Sequence, residues 1–351
     1  MLTRKTAIPS LFAAASLLAA AGVPGQAASP AADAGYHVTG RIALPGEGGW
    51  DYLLADAASH RLYVSHGTQV VVVDTDRDSV VGLIHDTPGV HGIAIAPALG
   101  RGFTSNGRDS TVTIFDLQTL TPIQRVTVTG RNPDAIAYDP ATRRVFTFNG
   151  GSASATVIDA AAGRVIGTIP LPGKPEFARV DGRGRLWVNI EDRSVVVPVD
   201  TRAMTAGTPW PLAPCEGPTG MAADTVHHRL FIGCSNRLMA VLSSDNGTIV
   251  ATLPIGGGVD GNAFDAATQL AFASNGEGTL TVVHEDTPDR YRVIAAVPTA
   301  PRARTMALDE RTHRIYLSTA GFAPPPPASA DNPRPRAPMV PGSFAVVVLA
   351  P

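Results

Sequence analysis

Residues 133–175 read PDAIAYDPATRRVFTFNGGSASATVIDAAAGRVIGTIPLPGKP, and this stretch decides the fold. Alternating or β-branched apolar residues build four short segments, Ala135–Tyr138, Arg144–Phe148, Ala155–Ile158 and Arg164–Pro170. Asp-Pro, Asn-Gly-Gly and Ala-Gly turns separate them. Four strands joined by tight turns form one antiparallel sheet, and the unit recurs along the chain at about the 40–45-residue period of a propeller blade.

The repeat can be phased on the residue before the first turn of each unit: Asp56, Ala96, Asp139, Asp181, Asp224, Asp265 and Asp309. The spacings are 40, 43, 42, 43, 41 and 44 residues, and six of the seven positions are Asp. Seven units of four antiparallel strands predict an all-β, seven-bladed β-propeller occupying residues 36–351. The last unit supplies only three strands, ending near Leu349, while Tyr36–Leu44 (YHVTGRIAL) has the form of a fourth strand. The N-terminal strand is therefore expected to close the last blade, covering edges that could otherwise template aggregation.

Outside the repeats, Arg4 and Lys5 precede an apolar run from Ala7 to Ala21 and a small-residue stretch ending at Ala28. This is the pattern of a signal peptide, residues 1–28, and it predicts a periplasmic or secreted protein. The run is shorter than the ~20 residues of a spanning helix, and none follows that is long enough. Removing Arg4 and Lys5 leaves 26 basic against 30 acidic residues, with Lys174 as the only lysine. That balance offers no basic footprint for nucleic acid and no polybasic membrane patch; a monomer is expected.

Two cysteines, Cys215 and Cys234, are an even count in an exported chain, and both fall on the same face of blade five. A bridge between them would close a loop of ~20 residues and contribute about 3 kcal/mol. Phe322–Pro341 (FAPPPPASADNPRPRAPMVP) is a Pro-rich insertion in the last blade, read as a solvated loop or as a cover near the channel. Gly256, Gly258 and Gly261 fit G-x-G-x-x-G but lead into a strand, with no helix to hold a pyrophosphate. His227-His228 falls in a turn on the opposite face and reads as a solvated pair.

Five residues before each phase position stand Asp51, His91, Asp134, Glu176, Thr219, Asp260 and Arg304. The first strand of a blade is innermost, so these seven positions should converge on the channel mouth. Near them come the ends of the second strands, His66, Asn106, Asn149, Asn189, Glu191, Asn236 and Asn275, whose Asn residues suit turns. Crowded carboxylates repel unless a cation or ligand offsets them, and such crowding raises carboxyl pKa values. Arg304 suits an anionic group, His91 acid–base work, and Asp134, Glu176 and Asp260 a hard divalent cation such as Ca²⁺.

The segments Asp139–Phe146 (DPATRRVF), His227–Cys234 (HHRLFIGC), Ser274–Val282 (SNGEGTLTV) and Pro298–Thr305 (PTAPRART) resemble the YVTN-repeat, YncE-like family of exported bacterial propellers. The resemblance covers roughly residues 40–351 and includes a Pro-rich segment, Asn332–Phe344, found in one branch. It implies the seven-bladed fold and leaves the activity open. In one reading the protein binds a small molecule, metal or protein partner at the channel mouth, through Asp51, His91, Asp134, Glu176, Asp260 and Arg304. In the other it is a metal-assisted, lactonase-like hydrolase or lyase with His91, Glu176 and Arg304 as catalytic candidates. No dedicated nucleophile stands out, which favours binding.

Overall fold

The computed structural model describes residues 1–2, 35–327 and 335–351. The chain divides after Ala31, and the second part is the propeller; most of the expected signal peptide lies outside the described residues. Seven antiparallel sheets follow one another in chain order. Blade three, which carries the decisive stretch, runs Pro133–Asp139, Arg144–Asn149, Ser154–Asp159 and Arg164–Pro170.

The repeated Asp is a turn-forming residue. Its carboxylate accepts amide hydrogen bonds two or more residues on: Ala58 and Ser59 donate to Asp56, Ala141 to Asp139, Arg183 to Asp181, Val226 to Asp224, Ala267 to Asp265 and Arg311 to Asp309. Such Asx turns fix a reversal that the flanking strands then read as register. In blade two, where the residue is Ala96, a short 3₁₀ turn over Pro97–Leu99 does the same work.

Closure occurs in blade seven. His37–Ala43 pairs antiparallel with Ala345–Ala350, which continues through Arg314–Thr319 to Met306–Asp309. Between neighbouring blades runs a series of arginine staples. Arg61, Arg101, Arg144, Arg185, Arg229 and Arg314 open second strands, and each donates to a backbone carbonyl beyond the third strand of the next blade. Blade six has Leu270 at this position. The exception has a physical reason: blade seven joins its third and fourth strands from opposite ends of the chain, so no turn there presents carbonyls. Tyr36 fills the gap. Its ring packs edge-on against Phe272 at 5.0 Å within the cluster that holds Leu270, and its hydroxyl donates to the His313 carbonyl at 2.8 Å.

Blade four departs from the regular plan. Its outer strand is two short pieces, Thr205–Ala206 and Trp210–Pro211. Pro198 in the third strand has no N–H to offer at that point, so the ladder breaks there. The disulfide joins Cys215 to Cys234, both buried, with Cα atoms 5.8 Å apart. Gly261 of the G-x-G-x-x-G run serves blade packing, since a Cβ there would lie 2.8 Å from the Met306 amide. The two legs of the Pro-rich loop meet through an Ala323–Pro338 hydrogen bond of 2.9 Å. Phe322 then sits under the Arg302 guanidinium and beside Trp50, the neighbour of Asp51.

Tyr36 gives a direct test of closure. Tyr36→Ala should cost about 3–5 kcal/mol by cavity formation, and Tyr36→Phe about 1 kcal/mol for one hydrogen bond. Denaturant unfolding measures both, and equal, negligible losses would mean that the closing strand contributes little.

Candidate functional site: the channel mouth

The channel mouth is built by an irregularity repeated in six blades. First and second strands lose register between Trp50 and Leu53, Val90 and Ile93, Pro133 and Ile136, Pro175 and Ala178, Pro218 and Met221, and Val259 and Gly261. Asp51, His91, Asp134, Glu176, Thr219 and Asp260 each sit inside that slip. A bulge re-aims a side chain, and here it sits at the inner strand of each blade. Serines on the second strand take up amides released from the ladder: Ser65 Oγ accepts from Asp51 N and Ser105 Oγ from Gly92 N, each at 2.9 Å.

Three blades in succession contribute to one cluster. His91 Nδ1 lies 2.6 Å from Asp51 Oδ2 and 3.6 Å from Asp134 Oδ1. Potential ligand atoms of Asp51, His91 and Asp134 all fall within 4.8 Å of one another. Asp134 is buried, and its Oδ1 makes no hydrogen bond. Glu176 and Asp260 are placed differently, each beside a cation: Lys174 Nζ is 3.2 Å from Glu176 Oε2, and Arg304 Nε is 3.1 Å from Asp260 Oδ2. Lys174 also pairs with Glu191. The Thr219 hydroxyl is committed to the Val259 carbonyl at 2.8 Å.

The mouth therefore gathers Asp51, Asp134, Glu176, Asp260 and Glu191 against His91, Lys174 and Arg304. Burial, reinforced by the charge of Asp51, pushes the Asp134 carboxyl up to about 8. Burial likewise lifts Glu176 to about 7 against the pull of Lys174, and Asp260 to about 7 against that of Arg304. Burial opposes charge on His91, yet its hydrogen bond to Asp51 and the field of Asp134 carry it to about 9. The cluster holds protons that solvated groups would have released. Arg304 is raised by Asp260 and stays half-exposed, able to meet an anion.

Beneath the carboxylates the channel is crossed by two aromatic rings. Tyr52 of blade one and Phe177 of blade four come from opposite sides of the ring, and their centroids are 5.2 Å apart, edge to face. A cavity of about 300 Å³ continues along the strands below, lined by Ile93, Ile95, Ile136, Arg179, Asn262 and Met306 among others. Arg179 is engaged there, donating to the Met221 carbonyl at 3.2 Å.

Of the second-strand ends, most are structural. Asn106, Asn149 and Asn275 are buried, and each donates through Nδ2 to two hydroxyls of the third strand, as with Thr111 and Thr113 for Asn106. Asn189 donates to the Thr219 and Gly220 carbonyls. His66 is buried against Phe344 and faces the Pro45 and Gly48 carbonyls, and Asn236 binds the Glu216 amide and Pro214 carbonyl. Lys174 escapes the repeat register because it precedes Glu176 by two residues. Its standing as the only lysine after Lys5 was the available signal.

No protein-family model matches this chain, and no curated protein sequence does. Its fold resembles solved structures at low identity. A chain of Kuenenia stuttgartiensis hydrazine synthase aligns with a TM-score of 0.67 at 14% identity, covering 92% of this chain and 100% of that one. The structure of U3-55K aligns with a TM-score of 0.73 at 8% identity, covering 89% and 99%. The WD40 repeats of RRP9 also align with a TM-score of 0.73, at 9% identity, covering 92% and 99%. Identities this low carry the propeller fold and no more.

The raised carboxyl pKa values set the sign of a pH dependence. Unfolded, these groups titrate near 4; folded, Asp134, Glu176 and Asp260 titrate at about 8, 7 and 7. Their contribution is fully present below the unfolded values and is lost as pH rises through the folded ones. His91, raised to about 9, loses its contribution in the same direction. The ligand-free protein should therefore melt at progressively lower temperature from about pH 5 to 9. Asp134→Asn should flatten that slope and stabilise the fold at pH 8 by about 0.5–2 kcal/mol. A slope unchanged by the substitution would show that the carboxylates do not repel.

Proposed function

We propose that the channel mouth binds a hard divalent cation of the Ca²⁺ class, alone or carried by an anionic small molecule, through Asp51, His91 and Asp134. One observation carries this reading: three ligand atoms from three consecutive blades lie within 4.8 Å, with Asp134 Oδ1 buried and making no hydrogen bond. Five carboxylates against three cationic side chains leave an excess of negative charge, and oxygen-rich sets favour hard cations. Arg304 and Lys174 stand on the rim to meet the anionic part of a ligand. Binding at the channel is a role to which the propeller fold is suited.

Export fits the same reading. The Cys215–Cys234 disulfide belongs to oxidising compartments, and no helix among the described residues is long and apolar enough to cross a membrane. With the leader-like residues 1–28, the disulfide supports a periplasmic or secreted binding protein. A catalytic variant of the reading rests on Glu176, whose pKa of about 7 would let it exchange protons at neutral pH. In that case a lactone and ester panel would reveal turnover dependent on His91, Glu176 and Arg304.

Equilibrium dialysis of chelator-treated protein against Ca²⁺, followed by elemental analysis, tests the cation site. About one equivalent should bind, and Asp51→Asn or Asp134→Asn should weaken it at least tenfold while the fold persists. Ca²⁺ retention that ignores both substitutions would reduce the mouth to hydrated lining.

A further inference from the structure

On the face opposite the mouth, six of the seven blades follow one rule. The residue just after the regular third-strand pairing donates its amide to the carbonyl of a left-handed residue in the turn between the first and second strands of the same blade. Thr75, Leu117, Ala160, Thr201, Ser244 and Glu285 occupy this position and bond His60, Gly100, Arg143, Gly184, His228 and Gln269. Five of the six are neutral. The series has one charged member, Glu285.

Glu285 is 2% exposed, and neither carboxylate oxygen satisfies hydrogen-bond geometry. It faces Asp224, itself 3% exposed, across the junction of blades five and six. Between them stands His227, whose Nδ1 is 2.7 Å from Asp224 Oδ2 and 2.9 Å from Glu285 Oε1. One ring nitrogen carries at most one proton, so it can serve only one of these two oxygens. His227 is therefore not the solvated residue that its place in a turn implied. Its neighbour His228 is exposed and pairs separately with Asp245 at 3.0 Å.

We infer that Asp224, His227 and Glu285 form a binding site for a first-row divalent cation, Zn²⁺ or Mn²⁺, between blades five and six. Two buried carboxylates and one imidazole make a mixed N/O donor set suited to such ions. The three potential ligand atoms already lie within 4.8 Å of one another. Ligand atoms around a tetrahedral ion at about 2.0–2.1 Å are separated by roughly 3.3 Å, so a slight opening of the His227–carboxylate contacts would admit one. His227 is one-third exposed, which gives the ion a route from solvent. Nearby Arg229 does not replace the cation, because its guanidinium is taken by the Pro288 and His227 carbonyls and by Asp289. The same junction between blades three and four shows the neutral solution: Thr201 Oγ1 donates to Asp139 Oδ2 at 2.5 Å, and no counter-charge is required.

The full chain, treated with chelator and returned to metal-free buffer, can be titrated calorimetrically with Zn²⁺ and with Mn²⁺. At least one equivalent of one of these ions should bind the parent protein, and one should remain in Asp134→Asn, which disables the like donor set at the mouth and leaves this face untouched. Glu285→Thr installs the residue type that Thr75 and Thr201 already show this junction accepts, so it should fold. It should bind the ion at least about tenfold more weakly, and His227→Ala should behave likewise. Equal affinity in the parent and Glu285→Thr overturns the site, as does the absence of any binding by the parent. Affinity lost in Asp134→Asn but kept in Glu285→Thr also overturns it, by moving the ion to the mouth.

Discussion

The pairing of His37–Ala43 with Ala345–Ala350 is the contact on which the rest of the propeller depends. Every other sheet is completed from consecutive residues and could form locally. This one must bring the two ends of the chain together, at the full loop-closure entropy of the domain. Only then do blades one and seven become neighbours, so that Arg314 can reach the Thr75 carbonyl and Asp51 can stand in the same ring as Arg304. The mouth is thus a product of closure as much as of any blade. The exchange of a staple arginine for Leu270, with Tyr36 packed beside it, shows the sequence adapting to the one junction that lacks a turn.

The mouth works against that stability. Carboxylates buried side by side raise one another's proton affinity and disfavour the charged, ligand-ready form. Local contacts soften this, with Lys174 beside Glu176 and Arg304 beside Asp260, but Asp134 has only the distant edge of His91. Under the proposed reading, such crowding on the inner strands would leave the groups already gathered when a ligand arrives. The edge-to-face pair of Tyr52 and Phe177 lies close by, near enough for the charges of Asp134 and Glu176 to act on the Tyr52 hydroxyl.

Much of this was legible because the repeat makes positions countable. The phase Asp could be seen since Asx turns demand a short acceptor at a fixed place, and five residues back from it lay the convergent ring. The bulge that aims those residues leaves no compositional mark, so their orientation had to come from the structure. Lys174 was hidden because it stands outside the repeat register. Asn106, Asn149 and Asn275 at second-strand ends looked like turn residues, whereas they are buried donors to the third strand; both roles use the same short amide, and only burial separates them. Pro198 could have announced the broken outer strand of blade four, because a proline inside a ladder removes a donor wherever it falls. Glu285 occupies an ordinary repeat position, and what makes it unusual is a partner in another blade.

Repetition also supplies the means of weighing these two clusters. At the ends of the third strands the scaffold solves one structural problem six times, so a residue that breaks the pattern is compared with five counterparts in the same backbone setting. Glu285 differs from all five in charge and shares their hydrogen bond, which separates its side chain from the demands of the fold. The mouth offers no such comparison. Its seven equivalent positions hold Asp, His, Asp, Glu, Thr, Asp and Arg, so four are carboxylates and the other three each carry a different chemistry. Six of these positions share one register slip yet carry carboxylate, imidazole and hydroxyl, so the bulge alone does not dictate the residue.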